Sequence, residues 1–147
     1  MEIPKEEFKC SLPIQIRFSD IDSIGHINNN IYFSYFDLGK INYLEKMKST
    51  SIDWTEGSIV LANINVDFYS PIYYKETIVV ESKITELGGK SGTFLQQIRN
   101  VKTNEIKCRC RSVFVAYDTA LQTSMVIPER WREIISEIEE INYCLDN

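Results

Sequence analysis

Histidine is almost absent. The 147 residues contain one, His26, so imidazole chemistry in this chain has a single possible address. Basic residues are outnumbered, 16 Lys and Arg against 21 Asp and Glu. The net charge of −5 argues against nucleic-acid binding, which needs a basic stripe to displace counterions. It also works against docking on an anionic membrane, while still allowing one anionic ligand held by a local cluster of cations. No apolar run approaches the length of a membrane-spanning helix. Residues 1–7 lack the apolar stretch of a secretory leader, so a cytoplasmic protein is expected. Cys10, Cys108, Cys110 and Cys144 show no CxxC spacing. They read as small buried apolar side chains in a reducing compartment, and with one distant histidine no metal site is expected. There are no repeats, low-complexity tracts or Pro/Gly/Ser linkers, so residues 1–147 are expected to form one domain.

What is present is patterned. Residues 12–18 alternate, with Ile14, Ile16 and Phe18 on one side, as in a half-buried strand. A polar loop covers 19–29. From Asn30 to about Met47 the apolar spacing becomes helical, through Tyr32, Tyr35, Phe36, Gly39 and Tyr43, and Ile31, Leu38, Ile41 and Leu44 widen the stripe. A stripe that broad predicts a helix covered on most sides. Asn28 or Asn29 supplies its N-cap. Residues 49–57 read as a loop with a turn at Trp54. Strands are expected at 59–69, 77–87, 91–100 and 105–117, with Val60, Ala62, Ile64, Val66 and Phe68 on one face of the first. Joined by tight turns, these four predict an antiparallel meander. Pro128 opens an amphipathic helix to about Tyr143, with Trp131, Ile134, Ile135, Ile138 and Ile141 inward. One antiparallel sheet with one nearly all-round apolar helix predicts a sheet curled about that helix.

The densest chemistry lies in the loop Asp20-Ile21-Asp22-Ser23-Ile24-Gly25-His26-Ile27-Asn28-Asn29-Asn30-Ile31-Tyr32. Its D-x-D pair, its G-H-x-N-N run and the tyrosine on the helix behind them resemble the hotdog-fold acyl-CoA thioesterases of the 4-hydroxybenzoyl-CoA thioesterase type. The resemblance implies an α+β hotdog fold: an antiparallel sheet of about five strands around one long central helix, with a C-terminal helix added. It implies thioester hydrolysis with the catalytic carboxylate at Asp22, and a homodimer or homotetramer whose sheets join edge to edge with the site between subunits. Two features depart from the family. Some branches carry a histidine where Asn29 stands, and others carry the carboxylate on the helix, where this chain offers only Asp37.

Thioester hydrolysis needs a polarised carbonyl, an attacking oxygen and a leaving thiolate. The free N–H groups at the start of the long helix, those of Asn29 and Asn30, can polarise the carbonyl. Asp22 is then either the nucleophile or the general base for water. His26 positions Asp22 or substrate, or moves a proton. Gly25 shapes the loop, Asn28 fixes it, and Tyr32 packs with a tethered hydroxyl. Asp20 braces the loop through Arg17. Asp37 with Lys40 reads as an ordinary helix pair. Lys90 and Ser91, in a glycine-rich turn, are candidates for a phosphate of coenzyme A, and Asn63 and Asn65 for completing a partner's site. The expected substrate is an acyl-CoA, with acyl-ACP or a non-catalytic acyl-binding module as alternatives, and no cofactor is expected.

Overall fold

The computed structural model describes residues 2–48 and 57–145. The loop expected at 49–57, with its turn at Trp54, lies outside the described residues except for Gly57. The elements run β1 (Cys10–Ile14), α1 (Asn29–Lys48), β2 (Ser58–Phe68), β3 (Ile78–Leu87), β4 (Ser91–Asn100), β5 (Ile106–Asp118), β6 (Thr123–Ser124) and α2 (Glu129–Glu139). One antiparallel sheet has the order β1-β3-β4-β5-β2, with the two-residue β6 also on β5. One face of that sheet packs on α1, as the alternation of its strands requires.

Two apolar clusters lie along α1. Tyr32, Tyr35 and Phe36 from its first half meet Ile78, Ile98 and Cys108. Tyr43 and Met47 from its second half meet Phe94, Phe114 and Trp131. Between them Gly39 lets the helix come close to the sheet. A Cβ there would sit 2.7 Å from Gln96 Nε2, which is fixed by donating to Phe36 O and Ser82 Oγ. Helix α2 closes the far end. Its buried Glu139 accepts from Tyr43 Oη at 2.6 Å and from the Ile84 N–H at 2.9 Å, beside the β3 bulge that leaves the ladder irregular there.

Several expectations need correction. The first strand is 10–14 rather than 12–18. Arg17–Asp20 turns back as a 3₁₀ turn because the Asp20 carboxylate accepts the Arg17 N–H, and Phe18, expected inside, is 81% exposed. The meander holds only for β3-β4-β5: β2 pairs with β5, since the 69–77 connection, broken by Pro71, carries the chain across rather than back in a hairpin. A register shift between Leu61 and Asn63 in β2 reverses its faces. Ile59 therefore packs inward before it, and Ile64 and Val66 after it. Helix α1 is not covered all round, because Leu38 and Ile41 are about half exposed. Helix α2 stops at Glu139, where Glu140 takes a left-handed φ of 58°, and this leaves Ile141 exposed.

Candidate active site

The 20–28 loop is closed on itself. Asp22 N–H donates to His26 O at 2.8 Å, and Asn28 N–H to Asp20 O at 2.9 Å. Ile21 and Ile27 form a bridge between these two bonds. Gly25 turns the tip with φ +83°, a conformation that L side chains rarely take. Nothing lies within 4 Å of the place a Cβ would occupy, so the demand for glycine is conformational rather than one of space.

The two aspartates have different surroundings. Asp20 is 1% exposed. Its Oδ2 accepts the Arg17 N–H at 3.0 Å and Tyr35 Oη at 2.7 Å, and its Oδ1 accepts Arg17 Nη2 at 3.2 Å. Burial opposes ionisation, but these donors outweigh it and hold the carboxyl below its usual range. Asp22 is partly exposed and lines a cavity. Its Oδ1 accepts the N–H groups of Ile24 at 3.0 Å and His26 at 3.2 Å. The carboxylate is thus oriented through one oxygen, and Oδ2 has no hydrogen-bond partner among the described residues.

The helix start is asymmetric. Asn28 Oδ1 accepts the Asn30 N–H at 3.1 Å, so Asn28 is the N-cap and the Asn30 N–H is taken up in capping. The Asn29 N–H has no partner among the described residues, and Asn29 lines the same cavity as Asp22. The His26 ring has no hydrogen bond to Asp22. It stands edge-on to Tyr73 with ring centroids 4.9 Å apart, and what His26 gives Asp22 is its backbone N–H.

The cavity measures about 420 Å³. One wall is Asp22, Ile24, His26, Ile27, Asn29 and Tyr32; the other is Phe68, Tyr69, Ser70 and Pro71. Tyr32 is buried against Phe68, ring centroids 5.0 Å apart, and burial pushes its phenol up to about 12, so it stays a neutral hydroxyl near neutral pH. No motif points to the second wall. Its one trace in the sequence is the aromatic break after β2, where Tyr69, Tyr73 and Tyr74 cluster around Pro71.

Not every candidate residue is gathered here. Lys90 ends the β3–β4 turn and Ser91 opens β4, next to the α2 end of the fold. Within the chain that is the opposite end of α1, a helix about 30 Å long. Asn63 and Asn65 bond to each other, Nδ2 to Oδ1 at 3.1 Å, on the sheet face away from Ile64 and Val66. Asp37 pairs with Lys40 at 3.6 Å and lines a separate cavity beside Ile41 and Leu61.

Comparison with known proteins gives a consistent picture. A model of the thioesterase-like superfamily matches residues 16–135. The long-chain acyl-CoA thioesterase FadM of Escherichia coli K12 is 24% identical over 85% of this chain and 96% of its own. A thioesterase from Thermus thermophilus, solved in complex with coenzyme A and Zn, superposes with a TM-score of 0.81 at 28% identity, over 92% of this chain and 98% of the other. A predicted thioesterase from Bacillus stearothermophilus superposes at 0.77 with 23% identity, over 93% and 98% of the two chains.

Proposed function

The chain belongs to the thioesterase-like superfamily and is a thioester hydrolase; from that premise we propose that it hydrolyses acyl-CoA to a free carboxylic acid and coenzyme A in the Asp22 cavity. The observation that carries this reading is the juxtaposition in one cavity of an oriented carboxylate, Asp22, and an uncommitted helix N-terminal donor, the Asn29 N–H. In the proposed reaction Oδ2 of Asp22 takes a proton from water as the water oxygen adds to the thioester carbonyl. The developing oxyanion is held by the Asn29 N–H at the positive end of α1. The C–S bond then breaks and the thiolate leaves, which needs little acid assistance, and the proton held on Asp22 passes to the thiolate or to solvent, restoring the base. The fixed Oδ1 supports a general base, since it holds Oδ2 at one place for an intervening water.

Coenzyme A is favoured over acyl carrier protein by the named activity of FadM, by the coenzyme A complex of the Thermus relative, and by the net negative charge of this chain, which repels an acidic carrier. The reading is tested by hydrolysis assays over short, medium, long and aromatic acyl-CoAs, with the best acyl group then compared on coenzyme A and on acyl carrier protein. Hydrolysis preferring the CoA ester supports it; binding without turnover leaves an acyl-binding module instead.

His26 acts in this scheme through its main chain. The variant His26→Ala keeps the N–H that orients Asp22, so its kcat falls by about tenfold or less, well short of the loss expected for Asp22 itself. A loss as large as that of Asp22 variants, measured under the same conditions, would assign the imidazole a direct role.

We also propose that the protein is a dimer joined along β2. This strand has 11 residues, pairs only with β5 among the described residues, and exposes Val60 and Leu61. The other edge, β1, is short and carries Pro13, which cannot donate to a partner strand. Sedimentation at micromolar concentration is expected to give a dimer for the native chain and a monomer for Leu61→Lys.

A further inference from the structure

One buried residue, Lys107, meets the second wall of the cavity through both its main chain and its ammonium. Lys107 of β5 is 4% exposed. Its carbonyl oxygen accepts the N–H groups of Tyr69 at 2.9 Å and Ser70 at 3.1 Å. Its Nζ donates to Pro71 O at 3.2 Å and pairs with Glu76 Oε1 at 2.7 Å and with Glu105 Oε1. Pro71 has no N–H, so its carbonyl is its only main-chain handle. Glu76 carries the hold onward: its Oε2 accepts the Tyr73 N–H at 2.7 Å, and its Oε1 also accepts Asn100 Nδ2 at 2.7 Å. Tyr73 in turn meets the His26 ring edge-on and bridges its main chain, and the Ile27 N–H donates to Ile72 O at 2.9 Å.

From this connectivity we propose that Lys107 is a positioning residue, which sets the 69–73 wall against the Asp22 loop and so fixes the width of the cavity. The Nζ contacts run to residues 71, 76 and 105 and to no residue of the apolar clusters, so the ammonium serves the wall rather than the core. Of the two carboxylates it pairs with, the more buried Glu76 depends on it. Burial opposes ionisation of Glu76, and its hydrogen bonds, the one from Lys107 foremost, overcome this and hold it below its usual range. A neutral side chain at 107 would leave two facing carboxylates and a loose Pro71. On the proposed reading the wall bounds the bound acyl-CoA while Asp22 and Asn29 face the reacting carbonyl, so displacing the wall weakens ground state and transition state alike, and the signature is in KM rather than kcat.

The kinetic arm rests on the thioesterase reading; a second arm does not. The chain has one histidine, so the His26 Cε1–Hε1 cross-peak in an NMR spectrum of the ligand-free full chain needs no assignment and reports the Tyr73 ring directly. Lys107→Met is expected to displace that peak and to raise KM for acyl-CoA about tenfold with kcat changed by less than about threefold, while Lys107→Arg restores both. Glu137→Gln, an exposed charge change on α2, is expected to move neither. If Lys107→Met does not fold, Glu76→Gln, which keeps the shape of the network, is expected to displace the same peak. A folded Lys107→Met, or Glu76→Gln in its place, with an unmoved His26 peak overturns the proposal, whether or not hydrolysis is found.

Discussion

Asp22→Asn is expected to lower kcat for acyl-CoA hydrolysis by about a thousandfold, within the range that loss of a positioned general base produces, and to leave KM within a few-fold of the native value. The asparagine is the informative substitution because it separates charge from shape. Its Oδ1 can still accept from the Ile24 and His26 N–H groups, so the loop keeps the two bonds that orient residue 22. What disappears is the capacity of the second position to take a proton from water. Thermal stability should therefore change little, since residue 22 is partly exposed and its structural bonds persist. Single turnover of native protein in H₂¹⁸O tests for an anhydride opened at the protein side. A general base places the label in the acid product from the first turnover and leaves the protein unlabelled. Label in Asp22 identifies a nucleophile whose anhydride water opens at the Asp22 carbonyl. An anhydride opened at the acyl carbonyl labels the product as a base does, and rapid quenching that traps acylated protein separates those two.

The largest effect on stability is expected from Asp20→Ala, about 3 kcal/mol in urea denaturation, with activity lost in parallel. Little of this comes from the Arg17 ion pair, whose guanidinium side is mostly exposed. The larger part comes from donors left without an acceptor: Tyr35 Oη, which is buried, and the Arg17 N–H. Activity follows because Asp20 joins the Asp22 loop to α1 through Tyr35, in the helix turns that follow Asn29, the proposed oxyanion donor. The pH dependence has a definite sign. The folded carboxyl lies below its ordinary value of 3.8, so its contribution is present above that value and is lost as pH falls through the lower folded one. Glu76, also held below its ordinary range, adds to the same slope. Asp20→Asn should flatten the acid limb of stability against pH, and an unchanged limb would mean that Asp20 does not hold its proton balance in this way.

Local patterns are legible in the sequence, and long-range pairings are not. The helical spacing from Asn30 onward and a cap at Asn28 or Asn29 are encoded within a few residues of one another; the helix appears in the fold, with Asn28 as the cap. The turns after β3 and β4 are equally local. By contrast, β2 lies beside β5 because a connection with Pro71 crosses the fold, and nothing within 59–77 states where it lands. The bulge after Leu61 reverses which residues of β2 face α1, a reversal that a two-residue period cannot signal. The alternation of residues 12–18 overruns the first strand because Phe18 continues a pattern that the Asp20 carboxylate interrupts.

The candidate site divides the same way. Its first wall is one contiguous loop, so Asp22, Gly25, His26, Asn28 and Asn29 can be read together. Its second wall comes from residues 68–71, and the hold on that wall from Lys107 and Glu76, all distant in sequence and without a motif. Asn29 and Asn30 are equivalent donors by sequence, and only the placement of the Asn28 side chain shows which of them is taken. Lys90 and Ser91 stand as candidates from a cation in a glycine-rich turn, a local feature, and the chain carries them to the other end of α1.

The most direct measurement is thiol release from acyl-CoA by the purified full-length protein, with the carboxylic acid product quantified in the same samples. Hydrolysis in the Asp22 cavity predicts saturable release of one thiol and one acid for each thioester consumed, nearly lost in Asp22→Asn while acyl-CoA still binds. Saturable acyl-CoA binding by the native chain with no thiol released, or equal release by Asp22→Asn, would contradict it.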